Sequence, residues 1–422
     1  MATIAEIQTA PPLFSEEQLA RQRRWVLGIT NLSHAFNHMN SGMMSVLYAV
    51  MMAPLGFGYA ELGVIQAVNS VIGQGLQAGY GFITPFVKRS LILGTGNTLL
   101  GLSTVFMSGA SSFNQLVALR AIGGAGTSPQ HVVGASILSS WFPAARGKAL
   151  AFHTTAGNVG TVIGPLLVVA LLRFMDWRLV LVLIGIPSII AGLSYFLLRD
   201  VVTPAPTTRK ARARAGWSAY VACLKNRDLL LVSALFMVGA AGREGGINQL
   251  YLVPHFANDL ELDLVVAGSL LTIVQVGGLV APMIWGYLSD TFPRKFVMQS
   301  ALIATAVTTV WLGSQQALDI LLFANLGIYG LVSNSRQAIT QAMVGDYAGD
   351  DLQDAAFSLY YTMGLISGPF WALVMGAIMQ TQGFEIAMRV ISVSFILGML
   401  ILIPLRIKPK APRADSGVVA AS

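Results

Sequence analysis

Long apolar runs alternate with short polar breaks along almost the whole chain. Runs of about 20 residues, the length that crosses about 30 Å of hydrocarbon, fall at roughly 25–54, 59–84, 91–110, 113–138, 148–172 and 179–198. Six more fall at about 228–253, 264–288, 296–316, 317–344, 355–380 and 386–405. These are twelve predicted spans, numbered one to twelve below, and an even number puts both chain ends on one side. The breaks are short except for 199–227, which carries Pro204, Pro206, Thr207 and Thr208 and reads as a linker. The pattern predicts an all-α membrane protein with six-helix bundles at 25–198 and 228–405 and tails at 1–24 and 406–422.

Composition supports the membrane reading. A soluble chain of 422 residues would hold about three domains and carry about 25% charged residues; this one is 55% apolar and 11% charged, with mean hydropathy +0.67. The single cysteine, Cys223, excludes a disulfide scaffold. Net charge +7 could suggest nucleic acid, but the basic residues are sorted by loop. Twenty of the 26 Lys and Arg lie in the two tails, the linker, and the breaks after spans two (Lys88, Arg89), four (Arg146, Lys148) and eight (Arg294, Lys295). The opposite side keeps Arg173, Arg178 and Arg389. Basic loops stay cytoplasmic, so the charge reports topology: a multi-pass protein of the cell inner (cytoplasmic) membrane with both termini cytoplasmic. Residues 1–24, with Glu6, Glu16, Glu17, Pro11 and Pro12, do not form a signal peptide and are expected to be a mobile arm. One loop breaks the charge rule: the segment after span ten is acidic at Asp346, Asp350, Asp351 and Asp354.

The chain also repeats itself. Leu47-Tyr48 recurs as Leu250-Tyr251 at an offset of 203, and Gly63, Gly73 and Gly81 recur as Gly268, Gly278 and Gly286 at 205. Gly160-Thr161-Val162-Ile163-Gly164-Pro165 recurs as Gly364-Leu365-Ile366-Ser367-Gly368-Pro369 at 204. Six spans were duplicated. Small residues four apart let helix backbones approach closely in lipid, and the following proline loosens the helix.

Gly286-Tyr287-Leu288-Ser289-Asp290, followed by Pro293-Arg294-Lys295, resembles the signature loop of the major facilitator superfamily. Its first-half counterpart runs from Gly81 through Lys88 to Arg89 and departs from the pattern at Pro85, where an aspartate is usual. Arg120-Ala121-Ile122-Gly123-Gly124-Ala125-Gly126 is similar to the family's arginine motif, and the glycine-proline segment of span five to its antiporter motif. Tyr59-Ala60-Glu61-Leu62-Gly63, Ser128-Pro129-Gln130-His131 and Arg146-Gly147-Lys148-Ala149 resemble fosmidomycin-resistance-type members, which are proton-coupled exporters. The resemblance implies two pseudo-symmetric six-helix bundles about a central cavity lined by spans one, four, seven and ten, working by alternating access.

An ionisable group at the centre of a membrane helix costs at least about 2.5–3.5 kcal/mol and usually faces water or the bundle interior. Arg120 lies on span four, Arg243 on seven, Arg336 on ten, and His34 and His38 on one, so each expected cavity span carries such a group. Three guanidiniums against one intramembrane carboxylate, Glu244, suit an anion held by bidentate hydrogen bonds. Asn37, Tyr48, Tyr251 and Gln130 join the arginines as expected substrate contacts. The alternative for Arg120 and Arg336 is a structural role, bonding to helix carbonyls. No phosphate-cradling loop is present, so a proton gradient is the expected energy source, with His34, His38 or Glu244 as carrier.

Two further readings compete. His34, His38, His131 and His153 lie within or near spans one, four and five and suit a divalent, iron-like metal as cargo; the arginines and the absence of an acidic ligand in that half argue against it. The same fold could serve as a membrane assembly factor without transport. An enzyme is not expected, because no loop is long enough to host a soluble site. No cofactor and no nucleic acid are expected; the partners are a small-molecule substrate, protons and the bilayer, and the chain is expected to act as a monomer.

Overall fold

The structure, a computed structural model, describes residues 16–84, 86–142, 145–198, 218–238, 247–348 and 352–407. Among these residues there are helices and no strands. They comprise α1 (Glu16–Leu55), α2 (Tyr59–Ile83), α3 (Arg89–Met107), α4 (Phe113–Thr127), α5 (Pro129–Trp141), α6 (Arg146–Leu172) and α7 (Trp177–Ser194). Then come α8 (Arg227–Val238), α9 (Ile247–Pro254) with a π-helical turn at His255–Asp259, α10 (Leu264–Thr291), α11 (Arg294–Gly313), α12 (Ile320–Ser333), α13 (Arg336–Ala348) and α14 (Gln353–Ile401).

Helix starts follow the sequence. Ser112 accepts a hydrogen bond from the Gln115 amide, Asp176 from the Arg178 amide and Asp319 from the Leu322 amide, capping α4, α7 and α12. Glu61 reaches back to the Gly58 amide at 3.0 Å. Six helices, α3, α6, α7, α10, α11 and α14, are individually long and apolar enough to cross a membrane. The remaining spans are carried by more polar or divided helices. α1 and α2 are diluted by polar residues. Span four is divided between α4 and α5 at Pro129, which has no N–H to continue the ladder. Span ten is divided between α12 and α13 at Asn334 and Ser335, whose side chains bond back to Gly330 and Val332 carbonyls. These two interruptions sit 205 to 206 residues apart, at corresponding points of the duplicated halves. Spans eleven and twelve share α14, in which the chain turns at Gly383, φ +81°, a conformation that side chains rarely adopt.

Part of the expected N-terminal arm is helical. The helix of span one begins at Glu16, within the expected tail, and Leu19 packs beside an apolar cluster of Val26, Ile29, Leu93, Ile137 and Trp141. Residues 1–15, 199–217 and 408–422 lie outside the described residues; 218–225 of the expected linker are helical.

Two compact units form, and they do not coincide with the two sequence halves. The first comprises Met1–Thr208, Ile247–Val276 and Gly368–Ala387; the second comprises Arg209–Gly246, Gly277–Ser367 and Met388–Ser422. Parts of spans seven, eight and eleven thus belong with the first half. Glycines explain the closeness: a Cβ on Gly63 would stand 2.4 Å from the Ala372 carbonyl, and one on Gly376 2.6 Å from that of Tyr59. The Tyr251 hydroxyl donates to the Ala372 carbonyl at the same crossing.

Candidate functional site

In the first unit α6 lies directly on α1. A Cβ at Gly160 would fall 2.0 Å from the Ala35 carbonyl oxygen, and one at Gly164 2.6 Å from that of Met39. One turn earlier, Gly157 leaves room for two rings, since its Cβ would be 2.8 Å from His34 Cε1 and 3.0 Å from His38 Cδ2. Gly134 on α5 does the same for His153, 3.2 Å from Nε2. Four imidazoles collect in the space these glycines leave. The His34 ring stacks on His153 at 3.8 Å between centroids and meets His38 and His131 edge-on at 4.6 and 5.1 Å. His38 and His131 stand 5.3 Å apart.

The same unit buries Arg120 of α4, whose guanidinium faces the Tyr48 hydroxyl of α1. Asn37 bonds to the Thr127 carbonyl just before the break between α4 and α5. Gln130 is fully buried: its amide donates to the Thr30 carbonyl and to Ser33, and its oxygen accepts from Asn97. Ser33 in turn bonds Tyr195 at 2.7 Å. These bonds join α1, α3 and α5, which makes Gln130 a helix-joining group in its geometry. Gln130→Leu would remove the bonds from Gln130 to Thr30, Ser33 and Asn97 that join α1, α3 and α5, at a cost of about 1–3 kcal/mol. We expect a Tm roughly 1–3 °C lower with solute affinity unchanged; weaker solute binding at an unchanged Tm would instead make Gln130 a substrate contact.

The second unit buries Arg336 at the start of α13, its guanidinium 4.6 Å from the Phe395 ring centroid and close to the Tyr329 and Tyr360 hydroxyls. Tyr360 bonds Thr340 at 2.7 Å and stacks on Phe236 of α8. Gly364 makes room for Phe236, because a Cβ there would lie 1.8 Å from the ring. Ion pairs among the described residues include His255–Asp259, Arg294–Asp290 and Arg294–Asp346, and none of these carboxylates pairs with Arg120 or Arg336.

The signature loop forms a charge cluster in this unit. Arg294 pairs with Asp290 one turn earlier and with Asp346 at the end of α13. That pairing ties Asp346, one of the acidic residues after span ten, to Arg294 at the loop between α10 and α11. Lys295 adds bonds to the Ile403 and Leu405 carbonyls.

The expected contacts Arg243 and Glu244, with Pro85 of the first-half loop, lie outside the described residues. His255 and Asp259 were not singled out by the sequence. His255 stacks on Phe384 at 3.7 Å and bonds Asp259, which also accepts from the Tyr59 hydroxyl at 2.8 Å. Their four-residue spacing was the available signal, hidden because the apolar run ends just before them.

A family model described as Major Facilitator Superfamily matches residues 30–242 and 244–420. The chain belongs to this superfamily. It is therefore a multi-pass membrane transporter and not an enzyme. Superfamily relatives include the hexuronate transporter of Escherichia coli K12, 22% identical over 90% of this chain and 93% of that one. The probable L-galactonate transporter of the same strain is 24% identical, over 38% of this chain and 36% of that relative's length. A crystal structure of the nucleoside transporter NupG superposes with TM-score 0.73 over 91% of this chain and 98% of that one at 13% identity, which supports the twelve-span superfamily fold.

Proposed function

We propose that this superfamily member is a proton-coupled secondary transporter that carries a small organic anion of sugar-acid type across the cytoplasmic membrane by alternating access. The observation that carries the reading is a buried guanidinium in each unit, Arg120 and Arg336, neither of them in the ion pairs described above. A guanidinium held in lipid without a carboxylate beside it is costly, and a carboxylate substrate offsets that cost when it binds. Arg243 supplies a third cation, and Asn37 and Tyr48 supply neutral hydrogen bonds suited to sugar hydroxyls. The names of two relatives, a hexuronate and a probable L-galactonate transporter, point to the same class of carboxylated sugar.

Glu244 is the proton carrier in this reading; His34 and His38 belong to the four-ring cluster discussed below. Both termini face the cytoplasm, and one chain is the working unit. The test is uptake into proteoliposomes holding the purified protein, with radiolabelled glucuronate and galactonate competed by their neutral parent sugars and by a nucleoside. Competition by carboxylates alone is expected. Equal competition by neutral sugars, or no carboxylate uptake, overturns the anion assignment. Glu244→Gln should retain counterflow exchange while losing pH-driven accumulation; retained accumulation removes Glu244 as the carrier.

A further inference from the structure

We infer that His34 and His38 of α1 and His131 of α5 form a binding site for a divalent transition-metal ion of the zinc, cobalt or nickel kind. One ligand nitrogen from each ring lies within 4.8 Å of the others. Tetrahedral coordination at 2.0–2.1 Å places ligand nitrogens about 3.4 Å apart, so rotations that move each ring by about 1 Å close the site.

The surrounding bonds fix which nitrogen is offered. His34 Nδ1 lies 2.7 Å from the His153 carbonyl oxygen. A carbonyl only accepts, so Nδ1 holds the proton and Nε2 carries the lone pair. That Nε2 is buried and has no hydrogen-bond partner, on a residue 4% exposed. His38 Nδ1 meets Thr161 Oγ1 at 3.0 Å. The Thr161 hydroxyl hydrogen is donated to the Gly157 carbonyl, so the hydroxyl accepts from His38 Nδ1, which fixes the tautomer whose Nε2 carries the lone pair. Carbonyl and hydroxyl groups that hold ligating histidines by their far nitrogen are the usual support of a metal site. His131 is the exposed member of the three. His153 lies face to face with His34, 16° from parallel; it packs the site from behind, and the fourth coordination position is left for water or an anion oxygen.

Neutral imidazoles with no carboxylate favour borderline transition metals over magnesium or calcium. The bound ion would tie α1 to α5. This assignment does not depend on the anion reading, and each can fail without the other.

The test uses the full chain, purified without a polyhistidine tag and titrated with Co2+ and Zn2+. Wild type should develop the visible absorption of tetrahedral cobalt, displaced by zinc, together with a saturable rise in Tm. His38→Ala and His131→Ala should each weaken binding at least tenfold, whereas His255→Ala, outside the cluster, should bind as wild type does. Thr161→Val keeps the helix packing and removes only the bond to His38 Nδ1, so affinity should fall about tenfold. No cobalt band and no stabilisation in wild type, or equal affinity in His38→Ala and His131→Ala, would overturn the site.

Discussion

Arg336→Ala is expected to abolish carboxylate uptake while leaving a folded protein. Removing one partner of a buried, charge-assisted contact costs about 2–5 kcal/mol, and a loss of 3 kcal/mol is roughly 150-fold in affinity or transport efficiency. Arg336→Lys keeps the charge but loses the planar fork and the stacking on Phe395, so about a tenfold loss is expected. The same series at Arg120, beside Tyr48, should run parallel. The competing view makes these arginines structural anchors for helix carbonyls. It predicts the reverse pattern: a large fall in Tm with unchanged solute affinity in whatever folds. Measuring Tm and initial uptake on the same preparations decides between the two.

Gly160→Leu is expected to prevent accumulation of folded protein, whereas Gly368→Ala is expected to be tolerated. The two glycines belong to segments that read alike in sequence. At Gly160 a Cβ would lie 2.0 Å from the Ala35 carbonyl oxygen and 2.8 Å from its carbon, and neither helix backbone can yield without parting α1 from α6. Overpacking of this kind costs at least about 1–3 kcal/mol, and a leucine adds three more heavy atoms to the collision. At Gly368 the nearest atom is the end of the flexible Gln74 side chain, 3.8 Å away. Alanine there also gains about 0.5–1 kcal/mol of helix preference, so Tm should hold or rise slightly. Fluorescence-detected gel filtration of the two variants provides the comparison. Loss of the monodisperse peak in Gly368→Ala, or its retention in Gly160→Leu, would show that the crossings are misplaced.

Local patterns reached far into this protein. The length of the apolar runs pointed to the twelve-span fold because hydrocarbon thickness imposes one length on each span, and the recurrence of Gly160 to Pro165 at Gly364 to Pro369 pointed to the duplication. Arg120, Arg336 and His34 stood out because a polar group in such a run is expensive wherever the fold puts it. Other features depend on side chains far apart in sequence. Asp346 looked like an exception to the charge rule until Arg294 was found beside it. The bonds of Gln130 to Thr30, Ser33 and Asn97, on two other helices, are likewise invisible in its own segment.

The sequence by itself determined the membrane class, the number of spans, the duplication and the short set of costly polar groups, since each follows from the local cost of placing a residue in lipid. Only the tertiary structure decided which glycines bring backbones together, which part of the second half packs with the first, and that four histidines from three helices meet in one pocket. Those outcomes depend on which faces of distant helices come into contact, and a periodicity along one helix carries no record of its neighbour.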